Sequence, residues 1–411
     1  MDVVVIGAGA AGLVAAGFAA AGGAKVTVLE KNNRPGRKLA ITGKGRCNLT
    51  NACEPAEMML NTPRNPKFLY STFNGFTSSD CMEFFQNLGV ALLTERGKRV
   101  FPASQKAADI VDALLRHCSQ NRVKIRCNTP VTSLECPNRA SSRFCAITSS
   151  GAFDADSVII ATGGLAYPAT GSTGNGYIMA KQAGHSVTKL SPSLVPLRVA
   201  QTWVSELAGL SLRNVGLRLI KDGKGVYDDF GELLFTHDGI SGPIVLSASH
   251  CVDDGVKYDV FIDLKPALDI PMLDKRILRD FDKYINRDLR RALDDLLPKA
   301  LIPIVIEQAE LQGDKKTRDI TRLERQNLAA VIKRLSLSVV GKHGFNEAVV
   351  TRGGVDVKEV NPSTMQSKIV AGLFFAGEVL DVDALTGGFN LHIAFATGKL
   401  AGTHAAKITR S

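Results

Sequence analysis

The chain opens on a run of apolar residues whose period changes twice. Residues 2–6 (DVVVI) form a short β-branched run and read as a parallel strand covered on both faces. Gly7 starts a turn, residues 11–22 are Ala-rich and helical, and residues 25–30 (KVTVLE) read as the next strand. Together they make a βαβ unit. Residues 3–24 carry no charge, which by hydropathy alone would suggest a membrane span or a signal peptide. Six glycines interrupt the stretch and no basic segment precedes it, so a buried strand–turn–helix is the better reading.

From 62 to 120 the pattern is mostly helical, with a hairpin-like break at 94–104 (TERGKRVFPAS). Strand-like runs follow at 123–127, 131–135, 144–148 and 157–161, the last ending in Ala-Thr-Gly-Gly. After residues 190–196 (LSPSLVP) the character changes. Residues 194–264 alternate in short segments separated by Gly and Asp, which predicts a β domain or small barrel. Residues 271–333 are charged and helix-like, and 334–341 return to strand. Residues 372–380 (GLFFAGEVL) read as another buried strand and 388–402 as a small-residue helix, so the last 65 residues are expected to rejoin the first domain.

Gly7, Gly9 and Gly12 stand in G-x-G-x-x-G spacing between the first strand and the first helix. Gly7 permits the tight turn, Gly9 the approach of a pyrophosphate, and Gly12 close helix–strand packing; Ala10 and Ala11 lie between them at the helix N-terminus. Glu30 ends the second strand, 18 residues past Gly12, where it would accept hydrogen bonds from a ribose diol; Lys31 follows it. NAD and FAD share this fingerprint. Two further strand ends favour FAD: Thr162–Gly163, and Gly377–Glu378 with Asp381 beyond, where an acid would hold the ribitol. The stretch TGGFN then supplies Gly387, Gly388, Phe389 and Asn390, with Leu391 after it, and opens a helix whose amides would face the flavin pyrimidine. The glycine-rich TGSTGNGY (170–177) reads as a surface turn before a helix, with a nicotinamide phosphate loop as its alternative.

Residues 36–51 (GRKLAITGKGRCNLTN) carry four Lys/Arg and almost nothing that fills a core. Arg37 and Lys38 would reach the adenosine–phosphate side of the cofactor, and Asn48 and Thr50 would line the flavin. Val131 completes the expected cofactor set. Cys47, Asn48 and His392 are the candidates for catalysis: Cys47 as a thiol beside Lys44 and Arg46, His392 as an acid–base group. His237 is a further possible acid–base residue, with a structural role favoured.

The net charge is +10 and the basic residues are spread along the chain, so no nucleic-acid partner and no membrane are expected. None of the eight cysteines forms a CxxC or zinc spacing, which points to reduced thiols, a cytoplasmic location and no metal.

These strings resemble the BaiN/YhiN-like flavoproteins, also described as aminoacetone-oxidase-like FAD-binding proteins. The resemblance runs through VVIGAGAAGL, GRKLAITGKGRCNLTN, ERGKRVFPASQKAADIVDAL, ATGGLAYPATGSTGNGY, LLFTHDGISGP, VTRGGVDVKEVNPSTMQSK and GLFFAGEVLDVDALTGGFNLHIAFATG. It implies an α/β fold of the two-dinucleotide type. The Rossmann-like FAD-binding domain is split in sequence (1–192 and 347–411), an inserted β-barrel-like domain covers 193–270 and 334–346, and a helical subdomain covers 271–333. Relatives of this kind are expected to carry Gln where His392 stands and a glycine-rich run where Lys44 stands. The activity implied is an FAD-dependent oxidoreductase that passes hydride between flavin N5 and a small organic substrate, with NAD(P)H as donor and a conjugated or oxo compound reduced. Oxidation of a small amine or aminoketone by O₂ is the alternative enzyme reading. A flavin-bearing nucleic-acid-binding protein is the alternative from another class.

Overall fold

A computed structural model describes residues 1–137 and 142–408; the end of the last FAD-domain segment, residues 409–411, lies outside them. The described residues fall into two compact units, those of 1–193 with 345–408, and 194–344.

In the first unit, five parallel strands form one sheet: Asp2–Ile6 (β1), Lys25–Leu29 (β2), Lys124–Arg126 (β3), Ser157–Ile160 (β4) and Leu373–Phe375 (β5). Their order is β5–β4–β1–β2–β3, with Val4 opposite Val158 on one side and Thr27 on the other. The strand order reverses between β1 and β4, which in open α/β sheets is where ligands bind. β1 and β4 are buried nearly throughout, which is why they read as unbroken apolar runs.

The helix Ala10–Ala21 (α1) lies against the last helix, Phe389–Ala405 (α3). Small residues make the approach possible: a Cβ on Gly398 would fall on the carbonyl of Ala11, and one on Gly402 on that of Ala15. The helix Arg37–Gly45 (α2) is broken at Thr42–Lys44, where Gly43 and Lys44 take positive φ. Thr50–Asn51, Arg99–Pro102 and Leu92–Glu95 form a small antiparallel sheet, and Val131–Glu135, Phe144–Thr148 and Gly151–Ala155 a second.

Residues 372–380 do not make a long strand. β5 spans three residues, because Gly377 at φ +76° turns the chain into a short 3-10 segment, Gly377–Val379.

In the second unit, six strands close into a barrel in the order Leu197–Val199, Gly239–Ser241, Lys224–Phe235, Ser211–Lys221, Tyr258–Asp263 and Leu335–Lys342. Leu217, Leu219, Val260, Ile262, Leu335 and Leu337 are buried at alternate positions, as a barrel interior requires. Helices Ile270–Lys283 and Arg322–Lys333 bury Ile277, Leu328 and Ile332 in the same core. The second of them starts on a capping box between Thr321 and Glu324.

Candidate functional site

A long open cleft runs over the carboxyl ends of β1, β2, β4 and β5, entirely within the first unit. It holds about 1360 Å³ of atom-free space, its mouth included. At its centre is the start of α1. Gly9 caps this helix without a side chain, no acidic residue occupies the first turn, and a Cβ at Gly9 would meet no protein atom within 4 Å. The amides of that turn therefore face space shaped for an anion. Gly7, Gly9, Ala10 and Ala11 line the cleft. Gly12 does not: it faces the turn, where a Cβ would fall on the Gly7 carbonyl oxygen.

Glu30 is buried and fixed at one end of the cleft. Its Oε2 accepts from the Ala8 amide (2.7 Å), and its Oε1 accepts from the Asn32 amide (2.8 Å) and side chain (2.7 Å). Asn32 also accepts from Arg37 (3.1 Å) and donates to the Thr170 carbonyl (3.1 Å). Lys31 Nζ donates to Thr173 Oγ1 at 2.5 Å, and burial pulls its pKa down against the nearby Glu30. The stretch TGSTGNGY, read from sequence as a surface turn, is thus a wall of this cleft: Thr170, Gly171, Ser172 and Thr173 line it. The sequence signal was its glycine content. Asn32 gave no signal at all.

Further along, Lys38 Nζ lies 2.7 Å from Glu378 Oε2, and the other Glu378 oxygen accepts from the Thr351 amide (2.9 Å). Both side chains line the cleft, as do Arg37, Val131, Thr162, Gly163 and Gly377. Asp381 does not share it. The residue is buried facing away, held by the Arg64 guanidinium and by Asn65, while its neighbour Val382 faces the cleft. The chain bends at Asp381, where the Val382 amide donates to the Leu380 carbonyl at 2.8 Å.

At the far end, Asn390 and Leu391 line the cleft. The Asn390 carboxamide is used locally: its oxygen accepts from the Ala384 amide (2.9 Å) and its nitrogen donates to the Ala384 carbonyl (2.7 Å). α3 begins without a side-chain cap at Gly388, whose φ of +101° suits glycine. A Cβ there would fall on the Thr50 carbonyl and the Asn48 Oδ1. Gly387 and Gly388 pack against residues 48–51, and neither they nor Phe389 line the cleft.

The candidate catalytic groups are placed as follows. Cys47 is fully buried, and desolvation pushes its thiol up to about 12. It is not a nucleophile there. His392 is also fully buried. Its Nε2 lies 2.9 Å from the Phe76 carbonyl, which can only accept, so Nδ1 accepts from the Thr50 hydroxyl at 2.9 Å. Burial drives its pKa down to about 4, so it is a neutral clamp between α3 and the 47–51 loop, and not a proton donor to the cleft. Asn48 is half-buried with Oδ1 unpaired, and Thr50 is consumed by His392. His237 is exposed in a turn of the barrel unit. All eight cysteines are free thiols, and among the described residues no group of three or more His, Cys, Asp or Glu could hold a metal. No helix of the described residues is long and apolar enough to cross a membrane.

The open Gly9 cradle, the fixed Glu30 and the uncapped N-termini of α1 and α3 fit an extended dinucleotide such as FAD. Comparison with known proteins agrees. The HI0933-like protein Rossmann domain matches residues 1–404. The 3-dehydro-bile acid delta(4,6)-reductase of Clostridium scindens is 32% identical over 98% of both chains. Ribosomal RNA dihydrouridine synthases of Haemophilus influenzae and Escherichia coli are 34% and 30% identical, each over 96% of both chains. Among solved structures, a 3-ketosteroid-delta4-(5alpha)-dehydrogenase from Rhodococcus jostii RHA1 superimposes with a TM-score of 0.53 at 16% identity. It covers 99% of this chain and 97% of its own, and it shares the fold. The chain belongs to the HI0933-like family and is an FAD-dependent oxidoreductase.

Proposed function

We propose that this protein reduces a carbon–carbon double bond conjugated to a carbonyl, and that its substrate is a uracil base in RNA. The observation that carries the reaction class is chemical. A delta(4,6)-reductase acting on a 3-oxo steroid and a dihydrouridine synthase both saturate a double bond in conjugation with a carbonyl, and both names belong to full-length relatives of this chain. The reaction adds a hydride at the carbon β to the carbonyl and a proton at the α carbon.

In this reading FAD lies along the cleft with its adenosine toward Glu30. Bound FAD supplies the hydride, and NAD(P)H restores its electrons. Gly7, Gly9, Ala10 and Ala11 hold the pyrophosphate, Glu30 and Asn32 the ribose, and Lys31 with Thr173 closes the adenosine end. Lys38 and Glu378 flank the ribityl region. The N-terminus of α3 receives the pyrimidine edge and stabilises negative charge there. NAD(P)H is a transient visitor, because a single parallel nucleotide-binding sheet is present among the described residues.

Two features favour RNA over a steroid: the net charge of +10 and the two dihydrouridine synthase relatives. Those relatives reopen the nucleic-acid reading that the spread of charge alone had argued against. Anaerobic titration of the reduced holoprotein separates the cases. Reoxidation by uridine-containing RNA supports the proposal. Reoxidation by a steroid enone alone moves the substrate to the other class, and bleaching of the oxidised flavin by a small amine or aminoketone, followed by peroxide release with O₂, supports an amine oxidase.

A further inference from the structure

We infer that the hairpin around Gly97, with the end of α2, is an RNA-docking surface at the reactive end of the cleft. The inference rests on the reading that the reactive ring of FAD lies at the start of α3.

The surface is basic. Lys44, Arg96, Lys98 and Lys106 are exposed, while Arg46 and Arg99 are half-buried around Phe101, with the Arg46 guanidinium 4.2 Å from the ring centre and that of Arg99 at 6.0 Å. Arg46 also holds the Gln105 side chain, which joins the segment at 105–106 to the hairpin. Two nearby carboxylates are already used, Glu95 by Arg46 and Glu57 by Lys98 at 2.6 Å, while Glu54 also lies near Lys98. Lys44, Arg96 and Lys106 form no ion pair among the described residues and are left to meet phosphates.

The surface is also tied to the start of α3. Asn51 Nδ2 donates both to the Gly97 carbonyl at the hairpin tip and to the Gly387 carbonyl just before α3, each at 3.1 Å. One buried carboxamide thus fixes the basic tip beside the helix start, with its own Oδ1 unpaired. A phosphate held by Arg96 would leave a neighbouring base next to the first turn of α3. A bile-acid substrate, with one carboxylate, has no use for a row of cations.

The charged helices of the second unit are a poorer candidate. Many of their cations are held in pairs, Arg276 with Asp280, Lys283 with Asp295, Lys315 with Glu324 and Arg325 with Asp274, and those without an ion pair among the described residues, Lys275, Arg287, Arg290, Arg291, Lys299 and Arg322, are interspersed with Asp and Glu along the chain.

The test is binding of a fluorescein-labelled, uridine-rich single-stranded RNA to the FAD-loaded protein, across a salt series. The triple variant K44E/R96E/K106E is compared with the natural chain, FAD content serving as the check of folding. The account predicts at least a tenfold loss of affinity at physiological salt, and a slope of log K against log salt shallower by about 2, from three phosphate contacts at about 0.7 each. Equal affinity and slope in the two proteins overturn the inference, as does binding to phosphatidylglycerol vesicles without binding to RNA. If the triple variant fails to hold FAD, K44Q/R96Q/K106Q carries the same comparison. Affinity is read without turnover, so a failure of the reductase reading leaves the result standing.

Discussion

Gly9 and Gly12 lie three residues apart and are needed for opposite reasons. Gly9 has an extended backbone (φ −84°, ψ −168°) that any residue adopts, and a Cβ there meets nothing in the protein. As apoproteins, Gly9→Ala and the natural protein are therefore expected to unfold at the same temperature, with stability within about 0.5 kcal/mol, because only the cleft is filled. Its affinity for FAD should fall at least tenfold, about 1.4 kcal/mol, as measured by flavin fluorescence quenching on titrating the apoprotein. Gly12→Ala drives a methyl group onto the Gly7 carbonyl, so its apoprotein should lose about 1–3 kcal/mol of stability. If the two variants lose stability equally, the assignment of Gly9 to the ligand is wrong. Cys47 gives a second check at this scale. With its thiol at about 12, the thiolate fraction at pH 8 is about 10⁻⁴ and the native protein should not be alkylated there; rapid labelling of Cys47 in the folded state would contradict its burial. The glycine turn after the first strand and the strand end at Glu30 were legible in the sequence as positions of a βαβ unit, because that geometry fixes their spacing. Asp381 was misassigned because which way a side chain points, past a strand of three residues, depends on where the strand stops.

At the scale of elements, the loop 47–51 and α3 are held together by His392, which joins the Thr50 hydroxyl to the Phe76 carbonyl and packs on the rings of Phe73 and Phe76. Its folded pKa of about 4 lies below the unfolded value of about 6.5, so between the two the unfolded chain binds a proton that the folded chain does not. Stability is thus fully present above pH 6.5 and declines as pH falls toward 4, by up to about 3 kcal/mol in total. Urea unfolding at pH 7 and pH 5 should show this loss in the natural protein and a smaller one in His392→Gln, which carries no such proton. Equal losses would remove His392 as the source. Helix α3 was visible in sequence from its small residues, but the role of its histidine was not. A histidine two residues past a cofactor-facing position faces the ligand or the core according to a packing that spacing alone does not fix. TGSTGNGY failed for a similar reason, since its glycines announce a turn but not what the turn covers.

For the molecule as a whole, alternating periods sufficed to place a split Rossmann-like sheet and a small barrel, because a buried parallel strand and a barrel strand bury different faces. Overall charge was less informative from sequence. A balance of +10 spread along the chain reads as solubility until the fold gathers Lys44, Arg46, Arg96, Lys98, Arg99 and Lys106 around one hairpin. At this scale NADH or NADPH should bleach the flavin under anaerobic conditions without co-purifying with the protein, since the described residues build one dinucleotide cleft. A stoichiometric nicotinamide retained through gel filtration would contradict that reading. The most direct test is to reduce the holoprotein anaerobically, mix it with uridine-containing RNA, and follow the visible flavin band together with the dihydrouridine content of the RNA. The account predicts that the band returns and dihydrouridine forms in equal amount, and that RNA in which uridine is already saturated leaves the flavin reduced. A flavin that stays reduced with RNA and with steroid enones alike, and returns only when oxygen is admitted, would contradict it.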